Sequence, residues 1–192
     1  MAMQTALAPR HAPPLPPARI SVPQYHAMIA AGILGEDDPV ELIENQLVQT
    51  MPQGSRHAHV QEEIADRLRG VCGPGHHVRS EKPLTLSGSE PEPDAAVVRG
   101  DRADFTDRHP GGADCVLVVE VAASSLDLDL RKADVYAAAG VPAYWLVDLD
   151  GRRLIAHAGP TPAGYGSVEE VDRLSADLPG GVADFTAADI PE

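Results

Sequence analysis

Apolar residues recur along this chain at several spacings, and each spacing predicts a different element. Val60, Ile64 and Leu68 repeat every fourth residue, which is one stripe of a helix over about 56–69. Ser55 stands at its start as a cap, and Gly73-Pro74-Gly75 stops it. His57 lies three residues before Val60 and shares the stripe's face. CVLVVEVA at 115–122 is the opposite case, a nearly unbroken β-branched run of the kind found in central strands covered on both faces. Shorter runs predict strands at 76–86, 94–98, 143–149 and 152–157, the last two joined by a turn at Asp150-Gly151, with a weaker one at 165–171. A helix is expected over 21–31, with Pro23 in its first turn, Gly32 past its end and Tyr25, Met28 and Ile29 as its apolar face. Another runs over 130–139 and ends at Gly140. In VELIENQLVQTM, Glu44-Asn45-Gln46 separates two apolar runs, a hairpin pattern. Together these elements predict an α/β (α+β) domain, a mixed sheet flanked by helices. Residues 1–19, with Pro9, Pro13, Pro14, Pro16 and Pro17, read as a disordered Pro/Ala-rich leader, and 20–192 as a single domain.

Composition narrows the partners. Hydrophobic residues make up 43% of the chain and aromatic ones 4%, so the core is built of Val, Leu, Ile and Ala. The net charge of −14 argues against loose, charge-driven binding to nucleic acid. A metal-dependent nuclease stays open, since bound cations offset part of a carboxylate cluster. Cys72 and Cys115 form no CxxC and no zinc spacing, which fits a reduced, cytoplasmic setting. No apolar run approaches the ~20 residues of a membrane span, so no membrane partner is expected. Ser124-Ser125 lacks the glycines of a nucleophile elbow, and there is no phosphate-cradling Gly-rich loop.

Glu120 is the strongest anomaly, an acid inside Val116-Leu117-Val118-Val119-Glu120-Val121. A buried carboxylate is costly unless it is paired or holds a metal; the plainer reading is a strand-end acid that faces solvent or meets a helix arginine. Asp94 opens the strand after Pro91-Glu92-Pro93, where a turn aspartate is also common. On adjacent strands the two acids can share one Mg²⁺. Lys132 begins the following helix with Tyr136 one turn on; by itself it reads as a solvated lysine. Glu44 by itself reads as a turn carboxylate, and His57 as either a proton-transfer residue or a half-buried helix histidine.

ELIENQLV, PQGSRHAHV, EPEPDAAVV, VVEVAASSL and KADVYAAAGVPAYWLVD occur in order between about 21 and 157. In that order they resemble the Uma-two restriction endonuclease family of the PD-(D/E)XK nuclease superfamily. The resemblance implies a restriction endonuclease-like fold, a four-stranded mixed core sheet flanked by helices with additional antiparallel strands. It also implies a Mg²⁺ (or Mn²⁺) cofactor and hydrolysis of DNA phosphodiester bonds. Carried over residue by residue, the catalytic set is Glu44, Asp94, Glu120, Lys132 and His57, with Asp94, Glu120 and Glu44 on the metal. The sequence departs from the pattern in having no lysine two residues after Glu120, and Ala143 stands where the family usually has Glu. Lys132 or its neighbour Arg131 therefore fills the lysine's role. The expectation is a metal-dependent endodeoxyribonuclease acting as a homodimer; the alternative is a catalytically inactive relative that serves as a binding module. The two part on whether Asp94 and Glu120 converge with room for a metal.

Overall fold

The computed structural model describes residues 17–35 and 38–192; the greater part of the expected leader lies outside them. The β-branched run at 115–122 forms β5 (Cys115–Ala122) at the centre of a six-stranded sheet, as its lack of polar alternation requires. Across the sheet the order is β3 (His76–Arg79), β4 (Ala95–Arg99), β5, β6 (Ala143–Asp148), β7 (Arg153–Thr161), β8 (Gly164–Val171). Only β5 and β6 run parallel; every other pairing is antiparallel. The parallel pair is joined through α3 (Leu126–Ala138), as a parallel crossover demands.

Successive strand residues point to opposite faces, and the two cores follow that alternation. Val97, Val119, Val121 and Val147 pack with the stripe Val60, Ile64 and Leu68 of α2 (Ser55–Val71). Ala96, Val118, Ala122 and Leu146 pack with Ala133 and Tyr136 of α3. Glu120, between Val118 and Ala122, thus points to the α3 face.

Several expectations are corrected. Helix α3 begins four residues earlier than its apolar pattern suggested, which places Lys132 beyond the first turn. The strand expected over 76–86 ends at Arg79: Glu81 takes φ 50°, and residues 80–86 form a loop that buries Leu84 and Leu86 without pairing as a strand. In α1 (Val22–Ala30) only Tyr25 is buried and Ile29 is exposed, so the anticipated apolar face is not a core face. The helix is pinned instead by polar contacts, Tyr25 donating to the Val40 carbonyl at 3.3 Å and His26 Nε2 lying 2.7 Å from Glu90. The Gly- and Asp-rich end contains an unforeseen hairpin, β9 (Arg173–Leu178) and β10 (Gly181–Thr186), whose Leu174, Leu178, Ala183 and Phe185 complete the core over α2. β1 (Val40–Ile43) and β2 (Gln46–Gln49) form the predicted hairpin. Its turn is two residues, Glu44 and Asn45, with φ 50° and 66°, the left-handed pair that suits the twist of a tight hairpin.

Candidate active site

The register of β4 on β5 pairs Ala95 with Val119 and so brings Asp94 beside Glu120. Both are buried. Asp94 Oδ2 accepts the Val121 backbone N–H at 2.7 Å, and the Asp94 N–H points at Glu120 Oε2 at 3.4 Å. From the N-terminus of α2, His57 Nε2 approaches Asp94 Oδ2 to 3.4 Å. Gln61, one turn on, donates to the Asp94 carbonyl at 3.2 Å. The two acids on neighbouring strands and the histidine on the α2 face are therefore brought together as the sequence implied.

Lys132 enters from α3 and is only 4% exposed. Its ammonium lies 2.9 Å from Glu41 Oε2, 3.1 Å from Glu120 Oε1 and 3.8 Å from Asp129 Oδ1. Tyr136 donates its hydroxyl to the same Glu120 Oε1 at 2.7 Å. Asp129 is held by the Ser125 hydroxyl at 2.5 Å. The adjacent Arg131 points elsewhere: its exposed guanidinium meets the carboxylate of Glu44. Between the two cations, the geometry selects Lys132 for the cluster.

Glu44 is the residue the structure does not bring in. It occupies the β1–β2 turn, is half exposed, and is tied to Arg131 outside the cleft. The upstream acid of the cluster is Glu41, buried in β1. Strand alternation was the available signal. Glu41 stands inside the strand, whereas Glu44 begins the turn, and an acid within a strand is the same anomaly that marked Glu120. Asp129 was also missed, because the helix was expected to begin after it.

Glu41, His57, Asp94, Glu120, Asp129 and Lys132 all line one cleft of about 510 Å³. Burial pushes Glu120 well above the usual carboxylate range, although Lys132 pulls the other way. Burial likewise pushes Asp129 up to about 6. Burial works against the charged form of Lys132, but the surrounding carboxylates outweigh it and hold the ammonium. Burial also opposes protonation of His57, and the Asp94 carboxylate overcomes it and moves the imidazole up.

Four buried carboxyl groups, Glu41, Asp94, Glu120 and Asp129, thus face one ammonium and one imidazole. The carboxyl groups outnumber their cationic partners, so the cleft is rich in oxygen donors. Among the described residues no three His, Cys, Asp or Glu side chains stand ready to hold a metal ion by themselves. The reason is visible in the cluster: the Lys132 ammonium sits where Glu41, Glu120 and Asp129 would meet. The Asp94–Glu120 pair remains, two hard oxygen donors on adjoining strands. That donor chemistry fits Mg²⁺ or Mn²⁺, which commonly take one or two carboxylates and fill the rest of the shell with water or phosphate.

Linkage gives this cluster a pH signature. Without divalent cation, Asp129 binds its proton more tightly in the folded than in the unfolded chain. Its contribution to stability is therefore lost as pH rises from its ordinary 3.8 to about 6. Asp189 has the opposite sign, since the Arg67 guanidinium holds its carboxyl down; its stability is lost as pH falls, and its window lies below 3.8. In chelator, the melting temperature is expected to fall between about pH 4 and pH 6. A melting temperature that climbs steadily across this interval would contradict the buried-acid cluster.

A mixed sheet with acids on two adjoining strands and a lysine on the crossover helix defines a restriction endonuclease-like protein. The family described as "Putative restriction endonuclease", Uma2, matches residues 22–187, and the chain belongs to that family. The fold is shared with a solved structure from Anabaena variabilis, described as a putative nuclease belonging to DUF820. That likeness has a TM-score of 0.65 at 19% identity and covers 89% of this chain and 97% of the other. Comparison with curated proteins finds no match.

Proposed function

We propose that this protein is a divalent-metal-dependent endonuclease of the PD-(D/E)XK kind that hydrolyses DNA phosphodiester bonds. The observation that carries the reading is the convergence of Asp94 and Glu120 on one cleft, where the pair presents oxygens suited to one Mg²⁺ or Mn²⁺. The ion, when bound, neutralises phosphate charge and makes water more acidic. Lys132, fixed by Glu41 and Asp129, holds Glu120 and carries positive charge at the edge of the cleft. His57 positions Asp94 and, among the described residues, is the one imidazole on the cleft wall. The buried free thiols of Cys72 and Cys115 accord with work in the reducing cytoplasm. A homodimer would place two such clefts for the two strands of a duplex.

The test is cleavage of supercoiled plasmid and of labelled single- and double-stranded oligonucleotides, with Mg²⁺ or Mn²⁺ and with chelator. Metal-dependent nicking or linearisation that chelator stops is expected. A second reading, a non-catalytic binding module, is favoured by the charge around the cleft. Glu81, Glu92 and Asp127 also line it, and the chain carries −14 overall. Specific metal binding with no cleavage of any substrate would decide for that second reading.

A further inference from the structure

We propose that Tyr136 is a positioning residue for this site: its hydroxyl, together with Lys132, occupies Glu120 Oε1 and leaves Oε2 as the single oxygen through which that carboxylate holds a cation. The inference rests on the metal-dependent reading above. Tyr136 lies four residues after Lys132, so one face of α3 delivers an ammonium at 3.1 Å and a hydroxyl at 2.7 Å to one oxygen. The opposite oxygen, Oε2, meets only the distant Asp94 N–H at 3.4 Å. Asp94 is arranged alike, with Oδ2 taken by the Val121 N–H and approached by His57. Each carboxylate is therefore gripped at one oxygen, while the other is left with at most one long contact.

Packing alone does not call for a tyrosine here. The ring of Tyr136 is fully buried against Tyr144, with centroids 5.2 Å apart, and phenylalanine would fill the same space. A buried hydroxyl costs stability unless it is bonded, and its one side-chain partner is Glu120. Partners of this kind fix the orientation of ligating carboxylates, and losing one typically costs 10–100-fold in metal affinity.

The experiment is a calorimetric titration of Mn²⁺ into the full chain, its Y136F variant and a Y165F control. The Tyr165 hydroxyl donates to the Val141 carbonyl at 3.0 Å and touches none of the cleft acids. Y136F is expected to bind Mn²⁺ roughly tenfold more weakly, and Y165F to bind like wild type, whatever either does to the melting temperature. Infrared difference spectra of wild type labelled with ¹³C-carboxyl glutamate give a readout that needs no variant. The splitting of the carboxylate stretches on Mn²⁺ addition is expected to be that of a carboxylate bound through one oxygen. Unchanged affinity in Y136F, equal weakening in both variants, or a bidentate splitting overturns the proposal. Where wild type binds Mn²⁺ and Asp94→Asn does not, such a result leaves the metal reading standing. Absence of Mn²⁺ binding by wild type removes that reading and this proposal with it.

Discussion

Lys132→Met is expected to lower folding stability by about 3–5 kcal/mol at neutral pH, the usual consequence of removing one member of a buried ion pair. Methionine keeps most of the side chain's volume, so cavity formation contributes little. What is lost is the ammonium that stands among Glu41, Asp129 and Glu120, leaving three carboxyl groups buried against one another. The defect has its own pH dependence. Asp129, pushed up to about 6, and Glu120, pushed well up, take protons as pH falls, and the repulsion fades with them. The variant is therefore expected to recover toward wild type in acid. Arg131→Ala, one residue away, is the contrast: its ion pair with Glu44 is exposed, with the arginine side chain 58% accessible, and such pairs contribute about 0–1 kcal/mol. Denaturant unfolding of both variants on either side of about pH 6 separates the cases. A Lys132→Met protein within about 1 kcal/mol of wild type at neutral pH would mean that the lysine does not hold the acids together.

Much of this architecture was legible because its parts are local. The β-branched run of β5, the four-residue stripe of α2 and the Asp150-Gly151 turn each state their structure within a few residues. The hairpin β9–β10 does not. Its apolar residues alternate, but Gly, Asp and Pro around them dilute the pattern, and only packing over α2 explains why it forms. The candidate cluster divides in the same way. Asp94, Glu120 and Lys132 lie near strand ends or on the helix after them, where chemistry-bearing residues stand out. Glu41 against Glu44 was decided by hairpin register, set by two left-handed turn residues. Lys132 against Arg131 was decided by where α3 begins, since a shift of one residue turns a helical side chain by about 100°. A one-residue ambiguity in a sequence pattern thus becomes a choice between a buried cluster and open solvent.

If Asp94 holds the metal as proposed, Asp94→Asn is expected to abolish metal-dependent cleavage and to weaken Mn²⁺ binding by more than about 100-fold, since losing a direct ligand exceeds the cost of losing an outer partner. The substitution separates chemistry from folding. Asparagine keeps the shape, and its side-chain oxygen can still accept the Val121 N–H now bonded at 2.7 Å. It also removes one negative charge that raises the proton affinity of both Glu120 and Asp129. In chelator the variant is therefore expected to melt at or above the wild-type temperature. Added Mn²⁺ reverses the order. Wild type is expected to gain stability with metal concentration, by about 2.7 kcal/mol at a hundredfold excess over Kd, and the variant is not. The pattern to seek is a variant that is more stable without metal, indifferent to metal and inactive on DNA. A variant that merely unfolds would assign Asp94 a structural role. One that still gains stability from Mn²⁺ as wild type does would place the ion elsewhere in the cleft, and would leave the alignment of Asp94 with Glu120 a consequence of strand register alone.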